Sequence, residues 1–138
     1  MSQPPLVLVV DDEACMRDLV VDVLQAEGYA VGAADNGQHA LEYLQRGRPD
    51  AIVLDLMMPV LDGWAFMEAY REVAGAEIPV IGVSAAMSPR VAERLGQLGV
   101  QACLAKPFEI TDLLAYVARA VRTPETTGQR AALAEPNR

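Results

Sequence analysis

The feature that most constrains the fold is an alternation. Five short apolar runs, Leu6 to Val10, Tyr29 to Ala33, Asp50 to Leu54, Ile78 to Val83 and Ala102 to Leu104, are separated by segments with helical spacing. A repeated β-α register selects a parallel sheet with right-handed crossovers and helices on both faces. The third run is the most telling. Ala51-Ile-Val-Leu-Asp55 suits a central strand covered on both faces, and it delivers one carboxylate before Leu56-Met-Met-Pro-Val-Leu-Asp-Gly63 opens a loop. Asp55 is therefore expected at the carboxyl end of that strand, the edge where ligands collect in open α/β sheets.

The intervening segments carry the helices. In the first, Met16, Leu19, Val20, Val23 and Leu24 fall at helical spacing, and Gly28 follows as a stop. The second runs from about Gly37 to Gln45 with Ala40, Leu41 and Leu44 inward. The third begins near Gly63 and buries some of Trp64, Phe66, Met67 and Tyr70. The fourth, from about Pro89 to Gln97, is anchored by Val91, Leu95 and Leu98 and is the weakest of the set. The fifth places Ile110, Leu113, Leu114, Val117 and Val121 on one face. Pro79 falls just inside the fourth strand, a position tolerable only at a first residue.

Residues 1–4 read as a short extension, 5–122 as one domain, and 123–138 as a mobile tail or truncated linker. Periodicity leaves the strand order open. A doubly wound order such as 2-1-3-4-5 would set the first and third strands side by side at a switch point.

Composition acts mainly by exclusion. Nineteen acidic residues against eleven Lys and Arg give a formal charge of −8, which repels nucleic acid and offers no basic groove, so no direct nucleic-acid partner is expected. The apolar runs are too short to span a bilayer and no signal peptide is present, so no membrane partner is expected. Cys15 and Cys103 form neither a disulfide framework nor a CxxC pattern, which points to the cytoplasm. His39 is the single histidine and is expected in solvent; no imidazole metal site or catalytic dyad can be built on it.

Chemistry gathers at the other strand ends. The first ends in Val10-Asp11-Asp12-Glu13, the fourth in Ser84, and the fifth runs into Ala105-Lys106-Pro107-Phe108. Taken singly, Asp12 and Ser84 can be helix caps and Lys106 a solvated surface lysine. Capping does not explain their joint arrival at one edge. Three carboxylates and one ammonium leave a charge of about −2, which raises carboxylate pKa values unless a divalent cation joins them. Oxygen donors without His or Cys suit Mg²⁺, which typically takes one or two carboxylates plus phosphate oxygens. A carboxylate can itself accept a phosphoryl group. In that scheme Asp55 attacks, Asp11 and Asp12 hold Mg²⁺, Lys106 pairs with phosphoryl oxygens, and Ser84 hydrogen-bonds to the product.

Val9-Val-Asp-Asp-Glu13, Asp55-Leu-Met-Met-Pro59 with Asp62-Gly63, Ser84-Ala-Ala86 and Lys106-Pro-Phe108, in this order and spacing, resemble the receiver domain of two-component response regulators over about residues 5–122. The resemblance implies a flavodoxin-like α/β fold, a five-stranded parallel sheet of order 2-1-3-4-5 with five helices. It also implies that Asp55 takes a phosphoryl group from a phosphohistidine on a sensor histidine kinase or phosphotransfer protein. Such a domain catalyses its own phosphotransfer and dephosphorylation and is not a turnover enzyme. By the same resemblance Asp12 is the direct metal-binding acid, Asp11 acts mainly through water, and the Met57 backbone carbonyl completes the shell around Mg²⁺ or Mn²⁺. Ser84 becomes the hydroxyl that moves toward the phosphoryl group, and Lys106 precedes a cis bond to Pro107. An unknown output protein, and a homodimer through the fourth helix, fifth strand and fifth helix, are the implied partners.

One position departs from the pattern. Where receivers usually carry Tyr or Phe, three residues before the lysine, this chain has Cys103. Phosphoryl acceptance is expected to survive, because that aromatic is outside the metal shell, while coupling to the output face is put in question. Ordinary packing accounts for Cys103, since Ala102 and Leu104 supply no activating base. The Met57-Met58 pair is expected to pack in part, Trp64 and Phe66 to pack, and Arg90 and Arg94 to be solvated or to meet acids on a second receiver.

Other classes of function stay open at this point. One is a phosphate-independent docking module; another is the receiver part of a larger transcription factor or hybrid kinase. A metal-dependent phosphatase would need a general acid two residues after the nucleophile, where Met57 cannot serve.

Overall fold

The computed structural model describes residues 4–57, 62–74 and 78–122. In chain order the elements are β1 (Leu6–Val10), α1 (Ala14–Ala26), β2 (Ala30–Ala34), α2 (Gly37–Arg46), β3 (Ala51–Asp55), α3 (Gly63–Ala74), β4 (Val80–Ser84), α4 (Pro89–Gln97), β5 (Ala102–Ala105) and α5 (Ile110–Arg122). All strand pairs are parallel and the order is β2-β1-β3-β4-β5. This is the flavodoxin-like, doubly wound α/β arrangement expected from the sequence. Among the described residues no helix is long and apolar enough to cross a membrane. The first three residues, the segment from Met58 to Leu61 and the expected tail at 123–138 lie outside the described residues.

Strand alternation sorts the core into two layers. Val7, Val9, Ala51, Val53, Ile81 and Val83 face α1 and α5, where they meet Val20, Leu24, Leu113 and Val117. Leu8, Val10, Ile52, Leu54 and Val80 face the other way, onto Ala40 of α2, Phe66, Met67 and Tyr70 of α3, and Leu95 of α4. All five residues of β3 are buried, as a strand between two neighbours and two helical layers must be. A slip of one residue would exchange the two faces, so the register that fixes the strand ends is held by both layers at once.

Several boundaries move by one or two residues from the expected ones. β2 begins at Ala30 and reaches Ala34, β3 gains Asp55, and β5 gains Ala105. β4 begins at Val80, so Pro79 stands just before the strand and not inside it; its carbonyl accepts the Ile52 N–H at 2.9 Å. Ile78 drops out of the strand because its backbone is claimed elsewhere. The buried Tyr70 hydroxyl donates to the Ile78 carbonyl at 2.7 Å and accepts from its N–H at 2.6 Å.

Leu19 is a correction. It was expected on the buried stripe of α1 but is 46% exposed, while Val20 and Leu24 take the buried positions. The helix α4 keeps its expected bounds and is anchored by Leu95, with Val91 and Leu98 packed beside it. Its N-terminus is closed by Ser88, whose hydroxyl accepts the Val91 N–H at 3.2 Å.

Candidate metal centre

The register brings four strand ends to one edge. The Asp11 N–H, just past β1, donates to the Ala34 carbonyl at 3.1 Å, and the Lys106 N–H, just past β5, donates to the Ser84 carbonyl at 3.0 Å. Asp55 closes β3 opposite Val83, and Ser84 closes β4 opposite Ala105. Asp11, Asp55 and Ser84 are buried, whereas Asp12 is exposed. One carboxylate oxygen from each of Asp11, Asp12 and Asp55 lies within 4.8 Å of the others.

Each buried acid is oriented in the same manner. Asp11 Oδ1 accepts the Glu13 N–H at 2.9 Å, and Asp55 Oδ1 accepts the Met57 N–H at 3.1 Å. Their Oδ2 atoms turn to Lys106, whose Nζ stands 3.4 Å from Asp11 and 3.5 Å from Asp55. Backbone amides two residues downstream therefore fix one oxygen of each acid, and the other faces the Lys106 ammonium. The Lys106–Pro107 bond is cis, as expected.

Ser84 is at the edge, but its hydroxyl is turned into its own loop, accepting the Ala86 N–H at 3.0 Å. Met57 contributes its amide to Asp55, and its side chain, expected to pack in part, is instead 62% exposed. Met58, the other half of the expected pair, lies outside the described residues.

Burial, the largest influence, pushes the Asp55 carboxyl up from 3.8 to about 6. The Asp11 charge adds to the rise, while the Met57 N–H and the Lys106 charge oppose it. For Lys106, burial pulls the ammonium down, but the charges of Asp55 and Asp11 outweigh it and hold it above the ordinary lysine value. The pocket thus confines more negative charge than one ammonium can balance. Oxygen donors alone, with excess negative charge, suit a hard divalent cation.

The Asp62-Gly63 pair supports this edge from behind. Asp62 caps α3, with Oδ1 accepting the Ala65 N–H at 2.9 Å. Gly63 is required by close approach: a β-carbon there would lie 2.7 Å from the Leu56 Cα and 3.1 Å from the Asp55 carbonyl oxygen. The sequence pattern places Gly63 at the loop before the third helix and in the Asp62-Gly63 motif, and neither shows this contact.

Arg17 is a site neighbour that sequence reasoning missed. Its Nη1 donates to the Asp11 backbone carbonyl at 2.8 Å. No motif marks it; the only signal is its place one turn past Glu13 on the first helix. His39 is exposed as expected, yet its ring bonds to Asp35 and its N–H donates to Asn36 Oδ1 at 2.8 Å. Arg94 lies over the Trp64 ring, 5.0 Å from its centroid, and so meets an aromatic of its own chain. Cys103 is half-buried and packs on the α4 side of the sheet, where burial raises its thiol.

Comparison with known proteins places these features in context. A family model, the response regulator receiver domain, matches residues 7–118. The transcriptional regulatory protein PdtaR of Mycobacterium tuberculosis is 39% identical over 120 residues, which is 86% of this chain and 57% of that protein. The response regulator MprA of Mycolicibacterium vanbaalenii is 38% identical over 135 residues, 94% of this chain and 57% of its own length. The chain thus spans little more than half the length of these relatives. Among solved structures, the receiver domain of the Francisella response regulator 1452 superposes with a TM-score of 0.83 at 30% identity, covering 87% of this chain and 98% of that one. The chemotaxis response regulator CheY4 of Vibrio cholerae gives 0.80 at 33% identity, over 86% of this chain and 99% of its own.

Proposed function

The chain belongs to the response regulator receiver family, and on that premise we propose that Asp55 accepts a phosphoryl group from a phosphohistidine with Mg²⁺ as cofactor. The carrying observation is the convergence of Asp11, Asp12 and Asp55 within 4.8 Å around a single lysine. The family is one of phosphoryl acceptors that catalyse their own transfer, and membership implies a histidine kinase or phosphotransfer protein as donor. We take residues 5–122 as the receiver unit.

Bound by Asp12 directly, by Asp11 through water, and by Asp55 and the Met57 carbonyl, Mg²⁺ would neutralise charge on the phosphoryl oxygens. The rest is the work of the chain. The Met57 N–H pins Asp55 Oδ1, which leaves Oδ2 as the nucleophile. As the Oδ2–P bond forms, the P–N bond of the donor breaks and its electrons leave with the imidazole nitrogen. Lys106 Nζ, already 3.5 Å from Oδ2, follows the charge onto a phosphoryl oxygen. The Ser84 hydroxyl leaves the Ala86 N–H and donates to a second oxygen.

Labelling with acetyl phosphate, or binding of beryllofluoride, tests the reading. Modification should need Mg²⁺ and should vanish in Asp55→Ala. Metal-independent labelling, or labelling that persists in that variant, refutes it.

For the output we propose the α4-β5-α5 face, with coupling carried by the loop from Ser84 to Met87. Met87, Val91, Leu98 and Cys103 all pack on the same layer of the core, and Cys103 supplies no aromatic ring to swing. A larger regulator is supported by the greater length of PdtaR, named a transcriptional regulatory protein. Light scattering with and without beryllofluoride tests the homodimer; an unchanged mass on activation removes it.

A further inference from the structure

We propose that the cleft between α1 and α2, beside the outer edge of β2, binds a small ligand through a carboxylate or phosphate group, and that its occupancy acts on the metal centre through Arg17. The cleft has a volume of about 370 Å³ and is lined by Arg17, Asp35, His39, Glu42, Tyr43 and Arg46. That is within the range of small-molecule sites. Gly32 shapes it: a β-carbon on this edge-strand residue would collide with the Tyr43 hydroxyl and ring, so glycine lets the ring lie against the strand.

The cleft keeps unspent donors beside acids that each already accept a hydrogen bond. Its acids are engaged, Asp35 by the His39 ring and Glu42 by the Gln38 amide at 3.4 Å. Among the described residues the Arg46 guanidinium and the Tyr43 hydroxyl make no hydrogen bond or ion pair, and Arg17 spends one nitrogen on Asp11. A guanidinium offers five N–H donors in a fork that matches carboxylate and phosphate. On a chain of net charge −8, the cleft sets two guanidiniums beside its two carboxylates, and a bound anion would be held by the former.

The cleft also touches the metal centre. Arg17 donates to the Asp11 carbonyl at 2.8 Å, and the Asp11 N–H donates to the carbonyl of Ala34 at 3.1 Å; both Arg17 and Ala34 line the cleft. An anion that draws Arg17 inward releases the Asp11 carbonyl and alters the acid beside it. Linkage makes the effect reciprocal: what the anion does to metal affinity, the metal does to anion affinity. The binding stands apart from the phosphoryl chemistry, and only the coupling rests on the function proposed above.

The test is an NMR titration of the full chain in Mg²⁺-free buffer with inorganic phosphate and, separately, succinate. The expected result is a saturable shift of the His39 ring and Arg46 Nε–H signals, with a dissociation constant on the order of 1 mM. Arg46→Ala, at an exposed position in the last turn of α2, should weaken binding about tenfold or more while leaving thermal melting and acetyl phosphate labelling unchanged. Saturation by phosphate alone identifies a phosphate group, and saturation by both probes a general oxyanion. No saturable shift from either probe, or shifts that survive Arg46→Ala, overturns the site. With the better probe bound, Mg²⁺ affinity should change about twofold or more in the wild type and not in Arg17→Ala. Binding without any change in Mg²⁺ affinity overturns the action on the metal centre.

Discussion

In the absence of metal, Asp55→Asn should make this protein more stable at neutral pH. Asp55 is 5% exposed, and burial, reinforced by the Asp11 charge against the pull of the Met57 N–H and Lys106, places its carboxyl at about 6 instead of 3.8. The unfolded chain restores the ordinary value. The folded state therefore holds the proton more tightly, and ionising Asp55 works against folding. Below the unfolded value of 3.8 both states are protonated and nothing is lost. The penalty grows as pH rises from 3.8 to about 6 and is constant above that. At about 1.4 kcal/mol per pH unit its upper limit is about 3 kcal/mol.

Asparagine has the same shape, and its side-chain oxygen can still accept the Met57 N–H, but it carries no charge. Urea unfolding at pH 7.5 and pH 5, extrapolated to water, measures the gain. It should approach about 3 kcal/mol at the higher pH and fall to about half at the lower one. Excess Mg²⁺ should close the gap from the wild-type side, because a ligand at about one hundred times its dissociation constant stabilises the folded state by about 2.7 kcal/mol. A variant no more stable than wild type at pH 7.5 without metal, or a gap that does not shrink on acidification, refutes the charge argument.

Three further outcomes follow from single contacts. Gly63→Ala should cost about 1–3 kcal/mol by overpacking and slow acetyl phosphate labelling, because its β-carbon meets the Leu56 Cα at 2.7 Å, one residue from Asp55; unchanged labelling and unfolding show that the loop has room. Tyr70→Phe leaves the Ile78 N–H and carbonyl without the hydroxyl that serves both, and should lower stability by about 1–3 kcal/mol with labelling intact. At pH 8 a disulfide reagent such as Ellman's should titrate the exposed Cys15 first and Cys103 slowly, since burial both shields the latter and raises its thiol; equal rates refute the placement of Cys103.

The strands and the convergent acids were legible because each rests on local composition: an apolar run, then a polar residue where the run ends. Parallel pairing brings those ends to one edge, whereas the adjacency of β1 and β3 came only with the resemblance, because periodicity leaves the strand order open. Two features were not legible, for a shared reason. Leu19 satisfies helical spacing as well as Val20 does, but which of them reaches the sheet depends on how α1 is rotated on it. Ile78 reads as strand by composition, and only a tyrosine eight residues earlier removes it. Each outcome is decided by packing that local composition does not encode.

The charge count also orders the events at the edge. Before the proposed transfer to Asp55, three carboxylates and one ammonium sum to about −2; after it, two carboxylates, a phosphoryl group of about −2 and the ammonium would sum to about −3. The modified site therefore calls for a cation more strongly than the free one, and by linkage metal binding favours the modified state. Lys106, the only lysine in the sequence, can follow the added charge only by leaving Asp11 or Asp55. Its backbone N–H is bonded to the Ser84 carbonyl, so a shift of either residue is felt at the ends of β4 and β5 together. Cys103, opposite Gly82 in that register, has few atoms with which to carry the shift outward. Met87, three residues past Ser84 and packed in the core layer that holds Val91 of α4, has more, and a substitution there should separate phosphoryl acceptance from output.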